Sequence, residues 1–137
     1  MAWMPILRTL HVTANLFWIG GIVAVAMILP LRDVGTPIVR GQIALRVYRG
    51  VAVPAFVVSF VAATTLLFLQ PVYYFVHTHM MHAKLPLALG VVALHHWLGR
   101  RTRRMATGEA TPPTRLPAVL LTVGAVGAAM LALMKPF

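Results

Sequence analysis

Residues 5–30 read PILRTLHVTANLFWIGGIVAVAMILP, an apolar run whose one formal charge is Arg8. A helix that crosses the hydrocarbon core of a bilayer needs about 20 consecutive, mostly apolar residues. This run meets that length and stops at Pro30, where Arg32, Asp33, Gly35 and Pro37 make a polar turn. Outward from it, three further windows of the same character follow at roughly 50–70, 80–99 and 116–134. The expected fold is therefore all-α: an integral membrane four-helix bundle, one transmembrane domain over residues 1–137. The first run continues to Pro30 without a signal-peptidase site, so it reads as a retained helix.

Composition agrees with a bilayer as the solvent. Of 137 residues, 60% are apolar and 10% are charged, against about a quarter charged in soluble proteins. Cysteine is absent, which excludes disulfides, thiolate metal sites, iron–sulfur clusters and cysteine nucleophiles. A metal or haem would have to use His, Met or oxygen ligands. The formal charge of +10 would suggest nucleic acid in a soluble chain, but here the charges flank apolar spans and read as topology, with no nucleic-acid partner.

Arg32, Arg40, Arg46, Arg49, Arg100, Arg101, Arg103, Arg104 and Arg115 all fall on one side of the expected bundle, and Arg8, Lys84 and Lys135 on the other. The positive-inside rule makes the Arg-rich connections cytoplasmic and puts both termini on the non-cytoplasmic side of the inner (plasma) membrane, multi-pass. Gln42 to Arg49, of mixed polarity, extends the second helix out of the bilayer, with Arg46 and Arg49 on one face. Val72 to Met81 is a short aromatic and His-rich connection, with Tyr73 and Tyr74 as interfacial anchors. Gly99 to Arg115 is expected to be a polar loop without a fold of its own, and Gly124, Gly127, Ala128 and Ala129 give the last span a surface for close packing. A homodimer is the expected assembly.

Ionisable and polar groups inside a span are expensive, so each is a functional candidate. They are His11, Asn15, His82, Lys84, His95 and His96. Antiparallel threading levels the start of the first helix with the start of the third, so His11 and His82 share a depth, with Lys84 beside them. Two facing imidazoles suit a haem iron; a His hydrogen-bonded to a neighbouring helix explains either one equally well. His95 and His96 lie level with Arg46 and Arg49, where guanidinium forks suit carboxylates such as porphyrin propionates. The plainer alternative has these arginines meeting lipid headgroups. His77, His79, Met80, Met81 and His82 put imidazoles and thioethers in one short segment, a combination that suits copper, Cu(I) above all. Trp18 and Trp97 read as packing or interfacial side chains. Asp33 and Glu109 are the only acids, so proton transfer within the bilayer would fall to His, Tyr or Lys.

The order of these residues resembles a family, the HemJ-type protoporphyrinogen oxidases, small four-helix membrane proteins of haem biosynthesis. The resemblance covers nearly the whole chain. It is carried by Leu10-His11 with Trp18-Ile19-Gly20-Gly21, by Tyr48-Arg49 with Pro54-Ala55, by His82-Ala83-Lys84-Leu85 with His95-His96-Trp97-Leu98-Gly99-Arg100, and by Lys135-Pro136. It implies haem b in the bundle and removal of six electrons and six protons from protoporphyrinogen IX, handed to an acceptor that the sequence does not identify. On the resemblance His11 is a haem ligand or essential site residue, Arg49 and Lys84 contact the tetrapyrrole, and His96 takes the family's third-helix His position. His82 as the second iron ligand rests on the depth argument. The chain departs from the family at Ile22 to Leu29, where the family has an Arg-containing run ending in Tyr-His, and at Thr114-Arg115-Leu116-Pro117, which lacks the family's Asn-Glu pair. Those departures motivate a second reading, a haem electron-transfer or sensing protein without oxidase chemistry. The His77-to-His82 segment motivates a third, a copper-handling membrane protein resembling the copper-resistance D family.

Overall fold

The computed structural model describes residues 3–77, 80–110, 116–117, 119–120, 122–124 and 127, and these form helices and turns with no strand among them. Helix α1 spans Met4–Ile28, with Pro5 in its first turn, where the missing N–H costs nothing. Thr36 caps the next helix, α2 (Pro37–Val47), by accepting a hydrogen bond from the Val39 N–H at 3.4 Å. A π-helical turn (Tyr48–Ala52) carries α2 without a break into α3 (Val53–Leu69). Proline inside a helix lacks a donor, and its ring collides with the carbonyl four residues back. The backbone widens just ahead of Pro54, with the Val53 N–H bonded to the Tyr48 carbonyl, and the helix continues past it. A second π-helical turn (Tyr73–His77) precedes α4 (Met80–Ala106).

Two of these helices, Met4–Ile28 and the continuous Pro37–Leu69, are long and apolar enough to cross a membrane. The expected extension of the second span by Gln42 to Arg49 is helical throughout. The connection expected over Val72 to Met81 is mostly helical too, through the second π turn and the start of α4. The polar loop expected from Gly99 is corrected more substantially, because α4 runs on to Ala106 and carries Arg100 to Arg104 in its last turns. Packing explains the difference. Val91, His95, Leu98, Thr102 and Met105 are all buried, at alternating spacings of four and three, so one stripe of α4 stays covered well past the last apolar window. The helix ends at Gly108, whose φ of +90° favours glycine; its N–H bonds to Met105 O while the Glu109 N–H reaches back to Arg104 O at 2.9 Å. That pair of bonds is a Schellman stop. Of the expected span 116–134, the described residues are all helical, and Cβ atoms added at Gly124 and Gly127 would stand 3.4 Å from Val91 Cγ2 and 3.7 Å from Leu87 Cδ2. The rest of that window, with Arg115, Lys135 and Pro136, lies outside the described residues.

α1 runs antiparallel along α3, with Arg8 donating to Gln70 at one end and Gly21 against Ala52 at the other. α2 runs antiparallel along α4, with Gly41 against Ala106 and Tyr48 against Gly99. Between them lies a core of Trp18, Ile22, Val25, Ala44, Tyr48, Ala52, Val91 and Leu98. Large apolar side chains stand on the surface: Phe68 is 80% exposed, Leu16 71% and Phe17 61%.

Gly41 sets the spacing of α2 and α4, because a Cβ there would stand 2.5 Å from the Ala106 nitrogen. Gly41→Ala is expected to cost about 1–3 kcal/mol through enforced separation of the helices. Gly20→Ala, with open space around the new methyl, is expected to be neutral or stabilising by up to about 1 kcal/mol. Thermal unfolding in detergent by circular dichroism checks both. A Gly41→Ala protein that melts with the wild type would mean that α2 and α4 separate there at no cost.

Candidate functional site

Two buried polar clusters stand at different levels of the helix pairs, each built around one imidazole. The first belongs to His95, 1% exposed on the buried stripe of α4. The Trp18 indole N–H donates to its Nδ1 at 3.1 Å. An imidazole that accepts at Nδ1 carries its proton on Nε2, so Nε2–H donates to the Tyr48 hydroxyl at 3.1 Å. The Tyr48 hydroxyl in turn donates to the His95 carbonyl at 3.4 Å. Phe56 stacks on the His95 ring with centroids 4.9 Å apart and meets Trp18 at 5.0 Å. A side chain on Gly99 would collide with the Tyr48 ring, so the absence of one there admits the phenol. Both nitrogens of His95 are occupied by hydrogen bonds inside the protein. It is a structural imidazole, tying α1, the first π turn and α4 together.

The second cluster joins α1 to α3. The Asn15 amide donates to His11 Nε2 at 3.2 Å, one helical turn along α1. The ring proton therefore lies on Nδ1, which donates to the Ser59 carbonyl at 3.1 Å and lies 3.2 Å from Ser59 Oγ. The Ser59 hydroxyl closes the ring by donating to Asn15 Oδ1 at 2.6 Å. Ser59 is buried, whereas His11 is half-buried. Nδ1 anchored on a backbone carbonyl fixes the tautomer that leaves the lone pair on Nε2, the tautomer that metal-ligating histidines held in this way use. Lys84 is half-buried on α4.

The remaining expected residues are spread over both ends. His82 is exposed, its ring edge-on to Phe75 at 6.1 Å. His96 faces away from the stripe occupied by His95 and lines a shallow cleft of about 310 Å³ with Tyr48, Arg100 and Arg103. Arg46 and Arg49 are exposed on α2 and the first π turn. The structure thus puts Arg100 and Arg103 beside His96. Of the copper alternative, His77 is exposed and Met81 half-buried, while His79 and the side chain of Met80 lie outside the described residues. Among the described residues no three His, Cys, Asp or Glu side chains form a group able to hold a metal ion.

Sequence reasoning missed Ser59 and Tyr48 and read Trp18 as ordinary packing. The pairing of His11 with Asn15 is visible as an i, i+4 spacing, but Ser59 comes from a helix 48 residues away. For His95 the signal was its place in the 91, 95, 98, 102, 105 stripe, which separates it from His96. Comparison with protein-family models, curated proteins and solved structures gives no match.

Tyr48→Phe removes the acceptor for His95 Nε2–H and strands a buried donor. The expected loss is about 1–3 kcal/mol of stability, read from thermal unfolding in detergent, with the helical circular dichroism spectrum retained. Unchanged melting would show that the His95 hydrogen bonds are not what holds the three segments together.

Proposed function

We propose that this chain is an inner-membrane protein of four spanning helices that binds haem b and acts on a tetrapyrrole in the manner of the HemJ-type oxidases, with the Arg-rich connections cytoplasmic and both termini outside. The observation that carries the reading is the tautomer of His11. Its Nδ1–H is held by the Ser59 carbonyl, and its Nε2 lone pair is engaged only by the Asn15 amide, which a ligand can displace. His95, with an indole on one nitrogen and a phenol on the other, is not available in this way.

The His11 imidazole supplies the ligand chemistry that a haem iron takes. His11 would hold the iron, with His82 as its expected partner. Haem bound there would supply a one-electron redox centre for oxidising protoporphyrinogen IX to protoporphyrin IX. The chain's own residues do the rest. Asn15 and Ser59 orient the imidazole, and Lys84 offers an ammonium to a tetrapyrrole carboxylate. At the Arg-rich end, Arg46, Arg49 and the cleft of His96 with Arg100 and Arg103 present guanidinium groups to propionates. Such pairs orient the substrate as well as binding it.

Purified in mild detergent, the protein is expected to give a b-type reduced-minus-oxidised spectrum with near-stoichiometric haem in a pyridine haemochrome assay. His11→Ala should abolish or strongly perturb that absorption while the helices stay folded. A well-folded protein that stays colourless after haem addition overturns the proposal. Arg49→Ala should preserve the fold and weaken porphyrin binding about tenfold, the size of one charge-assisted hydrogen bond; unchanged binding would assign Arg49 to lipid headgroups. Haem retained without protoporphyrinogen turnover would favour the electron-transfer or sensing reading.

A further inference from the structure

One cavity among the described residues belongs to neither imidazole cluster. It encloses about 470 Å³ at the Arg-rich end, where the turn after α1, the start of α2 and the end of α4 meet. Arg32, Arg40 and Arg101 line it, together with the apolar side chains of Leu29, Ile38 and Met105. The one acid on its wall, Glu109, is already paired with Arg104 Nε at 2.6 Å. The cavity therefore carries a concentrated positive field over an apolar floor.

Arg40 makes the demand for a partner specific. One of its terminal nitrogens donates to the Leu31 carbonyl, which pins the guanidinium at the cavity wall. Its Nε is shut off from solvent and has no acceptor among the described residues. A buried donor left unpaired costs about 1–3 kcal/mol, so the Arg40 side chain gains by turning its guanidinium into the cavity, where an anion's oxygens can meet it. Arg101 is held over the Trp97 ring, 5.3 Å from its centroid. Partial burial pushes its guanidinium below the ordinary arginine value, and an anion beside it would offset that penalty.

We infer that this cavity is a binding site for a phosphate group, gripped by Arg40 and Arg101 with Arg32 at the rim, and that its apolar floor takes the adjoining part of an amphiphile. Arginine forks match phosphate oxygens in pairs. On the membrane reading this end of the bundle lies at headgroup level on the cytoplasmic side, so an anionic phospholipid is one source and free phosphate the other. The inference does not depend on haem.

The test is native mass spectrometry of the purified full-length protein titrated with phosphatidic acid, with phosphatidylcholine and inorganic phosphate as further probes. One phosphatidic acid is expected to bind tightly per chain, and phosphatidylcholine much more weakly. Arg40→Gln and Arg101→Gln should each weaken binding about tenfold or more, as expected for loss of a charge-assisted hydrogen bond. Arg8→Gln, at the opposite end of α1 and bonded to Gln70, should leave it unchanged. Displacement by millimolar inorganic phosphate identifies free phosphate as the ligand; resistance to it identifies the lipid. Equal binding of phosphatidylcholine, or equal losses in all three variants, overturns the inference. Arg101→Gln alters a partly exposed side chain on an intact helix, and its unfolding temperature, measured in parallel, separates lost binding from lost fold.

Discussion

A neutral imidazole sealed inside a helix bundle must have both ring nitrogens satisfied, and the helices of this protein are arranged to do that for His95. Trp18 reaches it from α1 and Tyr48 from the first π turn, each at 3.1 Å. Leaving either nitrogen unpaired would cost about 1–3 kcal/mol, a large fraction of the net stability of a small domain. The two hydrogen bonds therefore fix the rotation of α1 and α4 about their axes as well as their depth. The π turn belongs to the same solution. It lets the chain pass Pro54 in one continuous helix while keeping Tyr48 and Ala52 on the buried side. The glycine at position 99 then gives the phenol room against α4.

Around this interior many large apolar side chains face outward. Phe17, Phe60 and Phe68 point outward while Ser59, Thr102 and His95 are buried. In water that distribution would be unstable, since exposed apolar area of this extent associates. In hydrocarbon it is favourable, because the polar groups pair with one another and the apolar ones meet lipid. The same logic separates the two imidazole clusters. His95 is closed by a phenol and an indole, whereas His11 is oriented by a backbone carbonyl and covered on its free nitrogen only by a side-chain amide. One arrangement ties three segments together, and the other leaves a ring nitrogen covered by a single amide.

Much of this was legible in the sequence. The apolar run of 5–30 and the turn at Arg32 to Pro37 follow from composition and from proline and glycine chemistry; α1 begins and ends, and α2 begins, within a few residues of them. The last turns of α4 were not legible from hydropathy, because five residues rich in arginine look like a loop when counted and like a helix only when the buried stripe is followed to Thr102 and Met105. Gly108 marked the true stop. At the candidate site, His11, Asn15 and Lys84 stood out because a polar group in an apolar span has to be explained. Ser59, Tyr48 and Trp18 did not, since their roles come from partners on other helices that sequence spacing does not bring together.

The proposed function depends on the helices crossing a bilayer with the Arg-rich end inside. The absence of cysteine makes that directly measurable, because a single introduced thiol is the only one present. Thr107→Cys follows the end of α4 and Val72→Cys follows the end of α3, and both positions are exposed. Labelling with a membrane-impermeant maleimide in intact spheroplasts and in inverted vesicles should modify the cysteine at position 72 only from the outside and the one at 107 only from the cytoplasmic face. Modification of both thiols from the same face would contradict the account.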